Sequence, residues 1–155
     1  MVKLNLPEFN LRLSKDADGT VRIYDSLRSK WIVLTPEEWV RQNFVEYLVG
    51  YRGFPRGRMG NEVSLRLNNT LRRCDTIVFD SGRNPFVVIE YKAPEVEITQ
   101  EVFSQILRYN SVFRAPFLIV SNGMRHFCCR ATLNPLSCSF LKEIPQWDDL
   151  LRMIP

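Results

Sequence analysis

Two neighbouring segments, Cys74 to Asp80 and Pro85 to Lys92, constrain this chain more than any other feature. Both read as strands apolar on both faces, with only Ser81 to Asn84 between them. Strands of that kind belong inside a sheet covered on both sides. With Ser81 to Asn84 as the turn, Asp80 lies opposite Pro85 and Phe79 opposite Phe86. Stepwise pairing then sets Val78 against Val87, Ile77 against Val88, Thr76 against Ile89 and Asp75 against Glu90. Every interior pair is chemically sensible, and a bulge would shift the register by one residue.

Opposed residues hold their Cβ atoms about 4.5 to 5.5 Å apart, so this register crowds two carboxylates into an apolar sheet. Either one carboxyl stays protonated, or a hard divalent cation with oxygen ligands relieves the repulsion. Lys92 lies two residues beyond Glu90, and strand alternation puts it on the same face. Two acids and a lysine around a metal suit phosphodiester hydrolysis, the metal polarising the phosphate and activating water. The ammonium can orient that water or neutralise developing charge. An acid-x-lysine pair alone carries almost no information and also fits an incidental pair at a strand end. Its place after an apolar strand and opposite a second acid singles it out.

The remaining segments build an α/β domain around that hairpin. From Asn10 to Thr35, short apolar runs broken by Asp16 to Gly19 and Ser26 to Lys30 predict a small antiparallel meander. Thr35 as N-cap, Pro36 in the first turn and Glu38 at the capping-box position start a helix. Trp39, Val40, Phe44, Tyr47 and Leu48 continue it, and Gly50 is expected to end it. Glu62 to Leu67 and Phe117 to Ser121 read as strands and Thr99 to Val112 as a helix. Met124 to Ala131 reads as a further strand, followed by a loosely defined tail from Pro135. The order helix, three strands, helix, strand specifies a mixed sheet.

Composition narrows the partners. The 155 residues fit one domain, and 21 Lys and Arg against 17 Asp and Glu leave a charge of +4 that mildly favours a polyanion. With one histidine, His126, and no Cys-x-x-Cys among Cys74, Cys128, Cys129 and Cys138, a zinc site of the usual pattern cannot be assembled. No apolar run suits a membrane helix and no secretory signal precedes Pro7, so a cytoplasmic location is expected. Arg52, Arg56 and Arg58 interleave with glycines and aromatics between Gly50 and Gly60, and Arg72 and Arg73 follow. These are candidate phosphate contacts; a solvated connection whose glycines turn the chain explains the loop equally well.

Asp75 with Glu90, Tyr91 and Lys92 resembles the PD-(D/E)xK nuclease motif, and more specifically the N-terminal nuclease domain of type I restriction enzyme R subunits. Beyond the acids, the resemblance rests on Tyr91 to Pro94, on Val102 to Asn110 and on the turn Ser121 to Gly123, and covers about Thr35 to Ala131. It implies a restriction-endonuclease-like core with the N-terminal meander as an accessory. The single nuclease domain would span 1–155, with accessory strands at 1–34, the core at 35–131 and a tail at 132–155. Gln105 and Tyr109 correspond to the family's Gln-x-x-x-Tyr element, and their spacing puts them on one side of the helix.

The resemblance further implies a magnesium-dependent DNA endonuclease, manganese substituting, with Asp75 and Glu90 as metal ligands and Lys92 as base. The family tends to place an acid of the first helix near the metal; Glu37, Glu38 and Glu46 compete, and Glu38 is chosen. The chain carries no Gly-x-x-x-x-Gly-Lys-Ser/Thr, so any ATP-driven motor is expected from other restriction subunits acting in trans. DNA is the expected partner and a homodimer is an open option. The rival readings are a nucleic-acid-binding or assembly module that keeps the fold without efficient cleavage, and a regulatory or toxin-like partner of a restriction complex.

Overall fold

In the computed structural model, which describes residues 1–155, Thr35 caps helix α1 (Pro36–Arg52), its hydroxyl accepting from the Glu38 N–H at 3.1 Å. The helix runs through Gly50 and ends at Gly53, three residues later than expected. Gly53 has φ 70°, a left-handed conformation that costs glycine little, and the next N–H, of Phe54, donates to Leu48 O at 3.0 Å. Gly50 sits on an open part of the helix surface and breaks nothing.

The N-terminal meander forms as expected from β1 (Leu13–Lys15), β2 (Val21–Asp25) and β3 (Lys30–Val33). The main sheet has β4 (Met59–Leu67), β5 (Thr70–Phe79), β6 (Pro85–Tyr91), β7 (Phe117–Ser121), β8 (His126–Thr132) and β9 (Ser137–Phe140), in that spatial order. Only β6 and β7 run parallel, joined by a crossover through α2 (Gln100–Asn110), so the sheet is mixed. Val40, Phe44, Val45 and Leu48 of α1 pack on Val78, Val87, Ile89 and Phe117. Phe103 of α2 and Phe113 cover Ile77, Val88, Leu118 and Val120 on the other face. The both-sided burial of β5 and β6 follows from these two layers. No helix is long and apolar enough to cross a membrane.

Three further features differ from the sequence reading. The β5–β6 register holds from Thr76–Ile89 to Val78–Val87, but a bulge then sets Phe79 opposite Pro85. Its cause is a tight turn, in which the Asp80 carboxylate accepts from the Gly82 and Asn84 N–H groups at 2.8 and 2.9 Å. Phe86 is thereby left for the α1-side core, against Phe117 and Trp147. Second, the β4–β5 hairpin is longer than Glu62 to Leu67 and Cys74 to Asp80. Asn68 and Asn69, with φ 49° and 66°, form a two-residue left-handed turn that lets pairing reach Leu67–Thr70. Third, the expected tail contains β9 and a short helix α3 (Trp147–Met153), whose Trp147 and Leu150 are buried in the α1-side core.

The N-terminal segment is strapped to the same core. Leu4 is buried, the Asn5 N–H donates to Gly123 O at 2.8 Å, and Trp39 Nε1 donates to Val2 O at 2.8 Å. Gly123 has φ 82°, and a Cβ there would stand 2.7 Å from a Leu4 methyl.

Candidate active site

The last β5–β6 rung is Thr76–Ile89. One step beyond, the Tyr91 N–H donates at 2.9 Å to Asp75 Oδ2, so a side-chain oxygen replaces the ladder carbonyl. Glu90 lies beside it. Burial and the neighbouring Asp75 charge push the Glu90 carboxyl up to about 9, so without a cation the pair keeps a proton at neutral pH. Asn110, the last residue of α2, reaches Glu90. Its Nδ2 donates to Ile106 O at 3.0 Å while its Oδ1 is buried with no partner. Two carboxylates are hard oxygen donors of the kind a magnesium-sized cation takes, with water usually completing its shell. On that chemistry the site fits the ion, although no third His, Cys, Asp or Glu joins the two acids.

The acids open onto a concavity of about 480 Å³ lined also by Ser64, Leu71, Arg73 and Tyr109. Tyr109 stacks on Arg72, whose guanidinium carbon is 4.7 Å from the ring centroid, so two residues singled out separately meet here. Arg72 Nε is buried without a partner. Gln105 is exposed on α2 and does not line this concavity. Lys92 follows the end of β6, its N–H donating to Ser121 O at 2.9 Å. Its ammonium is within 4.0 Å of no carboxylate, so it does not serve as an ion-pair strut for Asp75 or Glu90.

The structure does not bring Glu38 to the acid pair. Its carboxylate is buried and accepts from Arg28 Nη2 at 2.9 Å, Arg41 Nη2 at 2.8 Å and Gln42 Nε2 at 3.2 Å. Two arginines consume its charge, which accounts for the residue without a metal. Glu46 is likewise engaged, with Arg56 at 2.7 and 2.8 Å, and Glu37 is exposed.

Sequence reasoning missed Arg41, Glu62 and Asn110. Arg41 is buried and donates to Asp75 O at 2.6 Å, to Glu38 and, at 2.7 Å, to Glu62 Oε1. Burial opposes its charge, but the Glu38 and Glu62 carboxylates outweigh that and hold its pKa above the usual value. It thereby ties α1 to the backbone of a candidate ligand. Arg41 shares the helical stripe of Val45 and Leu48, and a charged residue on that apolar stripe was the available signal. Glu62 breaks β4 with φ 55° and is also bound by Arg73 Nε at 2.9 Å.

The arginines divide into two groups. Arg56 is held bidentately by Glu46 and contacts Ser26; Arg52 Nε donates to the Tyr47 hydroxyl at 2.8 Å; Arg58 is exposed. This loop runs into Met59, which pairs with Val78, so it lies three β5 residues from Asp75, about 10 Å along the strand. Arg72 and Arg73 instead stand on the hairpin beside the acids, Arg73 with 68% of its side chain exposed.

A helix, three strands, helix and strand with an acid pair where the central strands part define an α/β protein of the restriction-endonuclease-like class. The chain belongs to the family described as Type I restriction enzyme R protein N terminus (HSDR_N), which it matches over residues 36–145. No curated protein matches it. Among solved structures it is similar to a chain of the DrdV–DNA complex determined by cryo-EM, at 15% identity and a TM-score of 0.46. That similarity covers 77% of this chain and 12% of the other, so the chain spans about an eighth of that relative.

Proposed function

We propose that this chain is the divalent-metal-dependent DNA endonuclease module of a restriction system, acting with magnesium or manganese. The observation that carries the reading is the acid pair, in which burial and Asp75 raise the Glu90 carboxyl to about 9 at the mouth of an open concavity. Asp75 and Glu90 would hold the cation, with water completing its shell. When bound, the ion supplies Lewis-acid polarisation of the phosphate and an activated water. Lys92, free of ion pairs, orients that water or neutralises developing charge, and Arg72, Arg73 and Tyr109 hold the flanking backbone. One acid pair per chain cuts one strand per event, so double-strand cleavage calls for a second copy or a second event.

The missing third carboxylate favours a second reading, a nucleic-acid-binding or assembly module without efficient cleavage. Manganese calorimetry together with single-turnover cleavage of plasmid DNA separates the two. Asp75→Ala and Glu90→Ala are expected to weaken manganese binding strongly. Lys92→Met is expected to keep DNA affinity and melting temperature while the cleavage rate falls about 100-fold or more. Unchanged manganese affinity in both acid variants would remove the metal site, and DNA binding without cleavage in the wild type would establish the second reading.

A further inference from the structure

The β4–β5 pairing outlasts the rest of the sheet. It continues from Val63–Cys74 to Leu67–Thr70 after β5 has parted from β6, giving a two-stranded arm about 14 Å long beyond the acid pair. Val63, Leu65 and Leu67 seat one side of the arm on the α2-side core, and the left-handed Asn68–Asn69 turn closes its tip. The arm is therefore a fixed projection. Its other side carries Ser64, Arg66, Leu71 and Arg73, with Arg66 directly opposite Leu71 and Ser64 opposite Arg73. Leu71 is 60% exposed, among the most exposed large apolar side chains of the chain. Nothing within the protein calls for a leucine there, between two outward arginines. Ser64, Leu71 and Arg73 line the same concavity as Asp75 and Glu90, so a polyanion engaged by the acids runs along the arm.

We infer that this arm enters the major groove of B-form duplex DNA, Arg66 and Arg73 meeting phosphates or base edges and Leu71 an apolar base edge, and so makes the duplex the substrate of the acid pair. A two-stranded ribbon fits the roughly 12 Å wide major groove of B-DNA. The deep, narrow major groove of A-form RNA does not admit side chains, and a single strand offers no groove. The arginines supply charge complementarity and the leucine a surface for a thymine methyl. The inference rests on the nuclease reading for its acids, but its test is independent of cleavage.

Fluorescence anisotropy without divalent metal, using a labelled 30-base-pair DNA, its single strand and the matching RNA duplex, tests it. The wild type is expected to bind the DNA duplex at least 10-fold more tightly than either other probe. Arg66→Ala with Arg73→Ala should lower the slope of log affinity against log salt by about 1.8 on the DNA duplex. Leu71→Ser, which removes no charge, should weaken duplex binding several-fold with the slope unchanged. Lys15→Ala with Lys30→Ala, on the N-terminal sheet rather than the arm, removes the same charge and should change neither. Equal affinity for RNA or single strands, or duplex binding indifferent to both arm variants, overturns the arm. If cleavage fails with every metal while arm-dependent binding persists, the nuclease reading falls and the arm stands; cleavage with arm-independent binding does the reverse.

Discussion

Charges on the two sides of Asp75 are treated in opposite ways. Towards α1, each one has a buried partner: Asp25 with Arg28 and Asn61, Glu38 with Arg28 and Arg41, Glu62 with Arg41. Towards the concavity, charges are met less fully: burial and Asp75 push the Glu90 carboxyl up, Arg66 is exposed without an acid partner, and Arg73, paired with Glu62, keeps 68% of its side chain exposed. A compensated network fixes geometry and has nothing left to offer a ligand. A less compensated one of mixed sign fits a metal and a phosphate, and so the side with fewer internal bonds is the one to which the proposed chemistry is assigned.

The sharpest way to break this contrast is Arg41→Met. Removing that guanidinium leaves Glu38 to Arg28 and Gln42, Glu62 to Arg73 alone, and Asp75 O without its donor, and a loss of about 3 kcal/mol is expected in urea unfolding. A loss under about 1 kcal/mol would mean that the network is not compensating anything.

On the open side, the expected effect is smaller and has the opposite sign. Burial and Asp75 raise the Glu90 carboxyl to about 9 in the fold, so between the ordinary carboxylate range and that value the folded chain keeps a proton that the unfolded chain releases. Stability should therefore be fullest at low pH and fall as pH rises through that window. Glu90→Gln keeps the neutral shape without the proton, so its melting temperature should gain on the wild type between pH 5 and pH 8.5, by several degrees. Parallel pH profiles would show that the acids are not crowded.

The smallest effect distinguishes the two arginine groups. Arg56→Ala, losing a half-exposed bidentate pair with Glu46, should cost under about 1 kcal/mol and leave DNA affinity unchanged. Arg66→Ala should be neutral within about 0.5 kcal/mol in stability and act only on affinity. An affinity loss in Arg56→Ala equal to that of Arg66→Ala would erase the division.

How far the sequence could be read follows the same division. The covered strands β5 and β6, the Thr35 cap and the facing of Asp75 and Glu90 were legible because apolar periodicity and cap chemistry are local. Glu38 was misplaced because a capping position says where a glutamate begins, not which arginine it meets across ten residues of chain. Arg41 and Asn110 were not singled out, since a single polar residue on an apolar stripe looks like an edge until its partner is in place. The hairpin arm went unread because the polar residues of its exposed side interrupt the apolar pattern and its two-asparagine turn is a weaker signal than Asn-Gly. Trp147 and Leu150 lie in too short a helix to show a period.

The N-terminal strap sets an order of assembly. The β4–β5 ribbon closes through two residues and can form within microseconds, whereas the strap's contacts, such as Asn5 with Met124, bridge 119 positions and await the finished sheet. The last segment to dock, and tied by few bonds, it is also the first to detach in the native ensemble. Its release bares Leu4 and the Val40 side of α1 while the acid pair and arm stay formed. Breathing at the chain's beginning is thereby uncoupled from the chemistry, and the amide of Asn5 should exchange with solvent well ahead of that of Val88.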